Sequence, residues 1–320
     1  MAGVSDPGRG GDGLYIALAS PYSAELAACL EGRLPPAAVL VDAASAAADA
    51  SALARAEIAF GAPDRLLACL PAMPALRWMQ STWAGVTPLI RQPRRDFVLT
   101  GVKGVFGRSM AEYVLGWSLA LRRSILHYAS ASRWEFRRDA GLSTLSLGVA
   151  GAGSIGAEVA LRCAPFFARV VGLNSDGRDV EGFDRCFAAG ERCAFARGVD
   201  VLAILLPDTP STTGLIDAAV LRSLNPGAIV INAGRANALV LDDALEALRI
   251  EQLSAAVLDV FEKEPLPDDS PLWTTPRLHI TSHSAAPTSI DDVTDLFCAN
   301  LERYLSGREL FGRIDMDRGY

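Results

Sequence analysis

The chain has 320 residues, half of them hydrophobic, with 30 basic and 37 acidic side chains and a formal net charge of −7. That length points to two domains, and so large an apolar fraction excludes wholesale disorder. The negative balance argues against a nucleic-acid partner, which needs a basic face, but leaves room for a small anionic substrate, which needs only a local cationic pocket.

The first thirteen residues are Gly-rich, lack an apolar segment, and read as a floppy tail with no secretory signal. From Leu14 onward short apolar runs alternate with helical patterns. Residues 14–20, 37–43, 56–60, 76–81 and 97–102 read as strands, and 24–34 as a helix. One long helical pattern covers 110–134. It is apolar on more than one face, which suits a helix wedged between two domains. A second alternation follows, with strands at 146–151, 169–173, 199–206, 227–233, 255–261 and 277–282 and a helix at 241–250. A last helix spans 289–307, opened by Ser289 with Asp292 three residues on, a variant of the capping box. This rhythm builds parallel sheets covered by helices. The expected fold class is therefore α/β, with two doubly wound parallel-sheet domains: residues 109–287 form one, inserted into the other, made of 1–108 and 288–320.

The longest apolar stretch, Tyr113 to Leu121, is too short to cross a bilayer, so a cytoplasmic protein with no membrane partner is expected. The six cysteines (Cys29, Cys69, Cys163, Cys186, Cys193 and Cys298) form no C-x-x-C pair and stand at no metal-ligand spacing from a histidine. They read as reduced thiols, and no metal site is expected.

The segment Gly151-Ala152-Gly153-Ser154-Ile155-Gly156 lies between a predicted strand and a predicted helix, the context that gives a G-x-G-x-x-G pattern its weight. Gly151 would allow the tight turn, Gly153 the approach of a pyrophosphate, and Gly156 close packing of helix on strand. Ser154 and Ile155 open the helix, whose free N–H groups and positive dipole end favour phosphates. A dinucleotide is the expected cofactor. An NAD site expects a carboxylate at the end of the second strand; here Asn174 stands in that place, followed by Ser175, Asp176, Gly177 and Arg178. An amide does not repel a 2′-phosphate, and Ser175 and Arg178 could bind one. NADP(H) is the expected preference, with NAD(H) open because Asp176 could supply the carboxylate from a shifted loop.

Ligands of open α/β sheets sit outside the carboxyl ends of the strands. Arg235 follows one late strand, Asp259 and Glu264 follow the next, and His283 follows the third. An arginine offers a planar fork for a carboxylate. A histidine exchanges a proton near neutral pH, and a glutamate beside it would fix its tautomer. His127 and His279 read as structural or surface residues.

With these residues in view, the chain resembles the D-isomer-specific 2-hydroxyacid dehydrogenase family. The matching stretches are GAGSIG, LLPDTPSTTGLID, LNPGAIVINAGRA, LDVFEKEPLPDDSPLW and HITSHSAA, with weaker matches at STWAGV and FGRSMAEYVLG. The resemblance implies a flavodoxin-like substrate domain and a Rossmann dinucleotide-binding domain with an active cleft between them. It implies Arg235, Glu264 and His283 as catalytic residues, and Asp259 as a contact of the nicotinamide carboxamide. Leu206 and Pro207 would border the adenine side. The turn Trp83-Ala84-Gly85-Val86 would hold the substrate carboxylate on backbone N–H groups, with Arg235 as its side-chain partner.

The implied reaction is hydride transfer from NAD(P)H to a small 2-oxoacid, most similar to the glyoxylate/hydroxypyruvate reductase branch, giving a D-2-hydroxyacid. Three departures stand out: Ser282 replaces the usual proline before the histidine, Asn174 replaces the usual acidic residue, and the chain lacks the appended domain of the phosphoglycerate dehydrogenase branch. Two alternatives stay open: a dinucleotide-sensing, corepressor-like binding module without turnover, and a 2-ketoacid reductase for larger substrates. The family implies a homodimer, and the helix from Met110 to Leu121 could supply the interface, serve as ordinary interdomain core, or do both.

Overall fold

The computed structural model describes residues 13–43, 49–137 and 141–316; most of the tail expected to be floppy lies outside these. Internal contacts divide the chain into two compact units, residues 1–103 with 288–320, and residues 104–287.

In the first unit, strands β1 (Leu14–Ala19), β2 (Ala38–Asp42), β3 (Ile58–Gly61), β4 (Trp78–Ser81) and β5 (Val98–Thr100) alternate with helices α1 (Ser23–Leu30), α2 (Ala50–Ala54), α3 (Pro63–Cys69) and α4 (Thr87–Arg91). All pairings are parallel. The order β2-β1-β3-β4-β5 is the flavodoxin-like doubly wound arrangement. β3 and β4 are buried along their whole length, as strands covered on both faces must be.

The second unit opens with α5 (Gly107–Arg122) and α6 (Ile125–Ser130). Its strands are β6 (Ser146–Ala150), β7 (Arg169–Asn174), β8 (Arg185–Ala188), β9 (Val201–Ile204), β10 (Ala228–Asn232), β11 (Leu253–Leu258) and β12 (Leu278–Ile280), with helices α7 (Ser154–Cys163), α8 (Arg192–Ala196), α9 (Ala218–Ser223) and α10 (Leu241–Arg249). The order β12-β11-β10-β9-β6-β7-β8, all parallel, reverses between β9 and β6. That reversal is the topological switch point of a Rossmann sheet. β8 has no counterpart in the sequence reading, because a four-residue edge strand beginning at an arginine carries too little apolar pattern to stand out.

The last helix, α11 (Ile290–Leu305), belongs to the first unit. Phe297 stacks on Phe60 at 4.4 Å and on Trp78 at 5.2 Å, and Tyr304 extends the stack over Trp78. Asn300 donates to the buried Gln80 side chain (3.0 Å) and accepts from the Phe311 N–H. Each such ring pair contributes about 0.5–1.5 kcal/mol beyond its burial, so these side chains fasten the chain end to a sheet formed far earlier in the sequence. Ser289 caps the helix by accepting from the Asp292 N–H at 3.2 Å.

One expectation for the long helix needs correction. The pattern over 110–134 is broken at Ser124, which sits in the left-handed region (φ 51°) and separates α5 from α6. An apolar pattern carries on across so short a break, Arg123 and Ser124, and cannot show it. On α5, Met110, Ala111 and Val114 are buried in the core of their own unit, beside Val159 and Ala160 of α7, while Tyr113, Leu115, Trp117, Leu119 and Leu121 are partly buried.

Candidate active site

The turn after β6 begins with Gly151 at φ 111°. A Cβ there would lie 2.7 Å from the Leu205 carbonyl oxygen, and one on Gly156 would lie 2.2 Å from the Gly151 carbonyl oxygen. Only glycine allows this loop, the following helix and the end of β9 to crowd together. Gly153 is different: a Cβ there meets no protein atom within 4 Å. Gly153 is also the N-cap of α7, and no side chain caps that end. The first-turn N–H groups, from Ser154 to Gly156, therefore keep their capacity to donate to an anion. Open space above an uncapped helix start is what a pyrophosphate requires, so these residues fit a dinucleotide.

At the end of β7, the Asn174 side chain shapes its own loop. Its Oδ1 accepts from the N–H groups of Asp176 and Gly177, and its Nδ2 donates to the Arg178 carbonyl. Asp176 pairs with Arg178 at 3.0 Å, both side chains more than half exposed. Leu206 is buried in the hydrophobic core, while the carbonyl of Pro207 accepts from the Thr212 hydroxyl.

Three strand ends of the same sheet carry the remaining groups. After β12, His283 adopts a left-handed backbone (φ 53°), and its Nδ1 lies 2.8 Å from Glu264 Oε2. The other carboxylate oxygen of Glu264 accepts from the Phe261 N–H at 2.9 Å. Glu264 is thus held at both ends, and the Nε2 of His283 is the ring nitrogen turned away from it. After β10, Arg235 is partly buried and donates to the Gly234 carbonyl at 2.7 Å. Burial pushes its guanidinium pKa down, while the charges of Glu264 and Asp208 oppose that shift. Glu264 is therefore the common neighbour of the arginine and the histidine.

Asp259, at the end of β11, is 1% exposed. Its carbonyl oxygen accepts from the His283 N–H at 2.9 Å, its Oδ1 from the Ser284 N–H at 2.9 Å and its Oδ2 from the Ala285 N–H at 3.0 Å. The Thr281 hydroxyl also donates to Oδ1, and the Tyr113 hydroxyl lies 2.7 Å from Thr281 Oγ1.

A family model for the NAD binding domain of the D-isomer specific 2-hydroxyacid dehydrogenases matches residues 116–285, more than half of the chain. The chain belongs to this family. Among curated 2-hydroxyacid dehydrogenase relatives, glyoxylate/hydroxypyruvate reductase A of Serratia proteamaculans is 35% identical over 67% of this chain and 69% of its own length. A D-isomer specific 2-hydroxyacid dehydrogenase family protein of Aeromonas salmonicida is 37% identical, with a TM-score of 0.87 over 95% of this chain and 99% of that one. The NADPH-dependent glyoxylate/hydroxypyruvate reductase of Sinorhizobium meliloti, solved with NADP and sulfate, is 28% identical, with a TM-score of 0.83 over 96% and 100%. Membership places the chain among the NAD(P)-dependent 2-hydroxyacid dehydrogenases.

Within this dehydrogenase, Arg235, Asp259, Glu264 and His283 all lie in the second unit, as does the glycine turn. The turn Trp83-Ala84-Gly85-Val86 lies in the first, where Ser81 Oγ accepts from the Trp83 N–H and donates to the Trp83 carbonyl, and the Trp83 ring is 44% exposed. Tyr113 and Thr281 were not singled out from the sequence. Thr281, two residues before His283, carried a positional hint; Tyr113, 168 residues from its partner, carried none. Lys103, Arg108 and Arg133 are exposed, and the latter two pair with Glu112 and Glu135. Among the described residues no helix is long and apolar enough to cross a membrane.

Proposed function

We propose that this dehydrogenase reduces a small 2-oxoacid of the glyoxylate/hydroxypyruvate type to a D-2-hydroxyacid, with NADPH preferred over NADH. The observation that carries the reading is the Glu264–His283 pair, 2.8 Å apart, with the partly buried Arg235 near Glu264. When bound, the nicotinamide supplies the hydride. Gly151, Gly153, Ser154, Ile155 and Gly156 receive the pyrophosphate at the start of α7. Arg235 binds the substrate carboxylate and polarises the carbonyl, its partial burial strengthening each charge-assisted hydrogen bond. His283 carries the proton on Nε2 and donates it to the carbonyl oxygen as charge develops there. Glu264, on Nδ1, fixes the ring orientation and stabilises the imidazolium. For Trp83-Ala84-Gly85-Val86, Leu206 and Pro207 the roles rest on the family resemblance.

The 174–178 loop favours a 2′-phosphate for an electrostatic reason. Asn174 brings no charge, and the exposed Arg178–Asp176 pair is of a kind worth about 0–1 kcal/mol. Arg178 can therefore exchange Asp176 for a dianionic phosphate at little cost. The reading is tested by following nicotinamide oxidation with glyoxylate and with hydroxypyruvate, using each cofactor. Higher kcat/KM with NADPH is expected. Binding of NADPH without turnover of any 2-oxoacid would instead favour the nucleotide-sensing alternative, and higher kcat/KM with NADH would overturn the cofactor preference.

We further infer a homodimer, through the segment 125–136 rather than through the apolar face of α5. Trp134 is 98% exposed and Phe136 86%, and Ile125, Leu126 and Tyr128 stand exposed beside them in sequence. The segment is fastened to α6 by His127 with Glu135 at 3.0 Å and by the Arg137 N–H on the Tyr128 hydroxyl. Large apolar groups held out in an ordered segment suit a protein partner, and a second copy is the commonest one. Replacing both Trp134 and Phe136 by glutamate is expected to halve the mass seen by light scattering; an unchanged mass would remove this surface from the interface. The six free cysteines agree with a reducing, cytoplasmic setting.

A further inference from the structure

We propose that Tyr113 and Thr281 are positioning residues that hold His283 in its working geometry by acting through Asp259. The inference rests on His283 being the proton donor described above.

His283 is one of the few non-glycine residues at positive φ, a conformation that costs a non-glycine residue about 1–3 kcal/mol unless its surroundings impose it. Asp259 imposes it. Three successive N–H groups, those of His283, Ser284 and Ala285, all converge on this one residue, through its carbonyl oxygen, Oδ1 and Oδ2 respectively. The N–H groups of Ser284 and Ala285 clasp the carboxylate, while the His283 N–H is held by the Asp259 main-chain carbonyl. The carboxylate therefore anchors the two residues that directly follow the histidine, and through them the backbone from which Nδ1 reaches Glu264.

Something must fix the carboxylate in turn, and the structure shows what does. A carboxylate only accepts, so the single proton of the Thr281 hydroxyl is committed to Oδ1, 2.5 Å away. Thr281 Oγ1 must then accept from Tyr113, and the direction of the chain is set: Tyr113 to Thr281 to Asp259. Tyr113 keeps its proton, because burial, reinforced by the Asp259 charge, pushes its phenol up to about 12. Tyr113 stands on α5, whose neighbours Met110, Ala111 and Val114 are buried in the core of the same unit. The relay thus ties the histidine loop to a helix that is itself fixed by packing.

The test uses Tyr113→Phe, Thr281→Val and Thr281→Ser in the full-length protein. Misplacing a reacting group by an ångström can cost about 10²-fold, so kcat is expected to fall about 5- to 10-fold in Tyr113→Phe and about 10- to 100-fold in Thr281→Val. NADPH affinity should stay within about twofold in both, and Thr281→Ser, which keeps the hydroxyl, should restore kcat to within about twofold. A second readout is independent of turnover. With only three histidines in the chain, the nitrogen-15 imidazole signals can be assigned by substitution, and that of His283 should shift or broaden in Thr281→Val and Tyr113→Phe while that of His127 does not. An unchanged His283 signal in both variants, or kcat within twofold of wild type in both, would overturn the proposal. A wild type that reduces no 2-oxoacid would sink the functional reading instead, and the imidazole signal would still decide the relay.

Discussion

Replacing His283 by alanine is expected to lower kcat by about 10²–10⁴-fold, the usual worth of a positioned proton donor, while NADPH affinity changes by less than about twofold. The separation follows from the geometry. The imidazole is more than half exposed and hydrogen-bonds through Nδ1 to Glu264 alone among the described residues, so its removal disturbs neither the core nor the glycine turn. Glu264→Gln should cost less, because an amide oxygen can still accept from Nδ1–H but no longer neutralises the imidazolium. Steady-state kinetics with saturating NADPH, together with a fluorescence titration of the cofactor, separate the two quantities. A His283→Ala variant with kcat near that of the wild type would remove the histidine from the mechanism.

The second large effect is a contrast between two glycines three residues apart. A Cβ on Gly153 meets no protein atom within 4 Å, and the extended backbone there (φ −92°, ψ −159°) suits a β-branched residue. Gly153→Val should therefore fold normally, with Tm within about 3 °C of wild type, since a lost glycine N-cap costs about 1 kcal/mol or less. Its side chain fills the approach to the α7 N-terminus, and NADPH affinity is expected to fall at least about 100-fold. Gly156→Ala should behave in the opposite way. Its Cβ would stand 2.2 Å from a backbone carbonyl oxygen, an overpacking that costs about 1–3 kcal/mol and lowers Tm by roughly 3–10 °C. Thermal melts with and without NADPH distinguish the two. Loss of the NADPH-induced rise in Tm for Gly153→Val, with an unperturbed apo melt, is the expected signature; a retained rise would move the pyrophosphate elsewhere.

Much of the fold was legible because it is written in local pattern. The long central strands of both sheets carry apolar runs of four to six residues, and the N-cap of α11 is marked by Ser289 with its donor three residues away. What was not legible lacked such a pattern. β8 is short and mixed in composition, and the left-handed Ser124 interrupts a helix without interrupting its periodicity. Asn174 illustrates a subtler limit. Its position was found from spacing, yet the use of its amide, on the N–H groups and carbonyl of its own loop, depends on backbone angles that residue types do not specify.

Residue identity alone was enough to mark the glycine turn between strand and helix, the chemical set of arginine, glutamate and histidine at successive strand ends, and the family to which they belong. These follow from near-neighbour spacing and from what each side chain can donate, accept or exchange. Tertiary structure alone decided that Asp259 gathers the N–H groups of residues 283–285, that Tyr113 reaches Thr281 from 168 positions away, and that Met110, Ala111 and Val114 of α5 are buried in their own unit while Trp134 and Phe136 stand exposed. The reason is one of range. Hydrophobic period and turn chemistry act over a few residues, whereas a hydrogen bond between distant segments exists only after both have been packed against the same sheet.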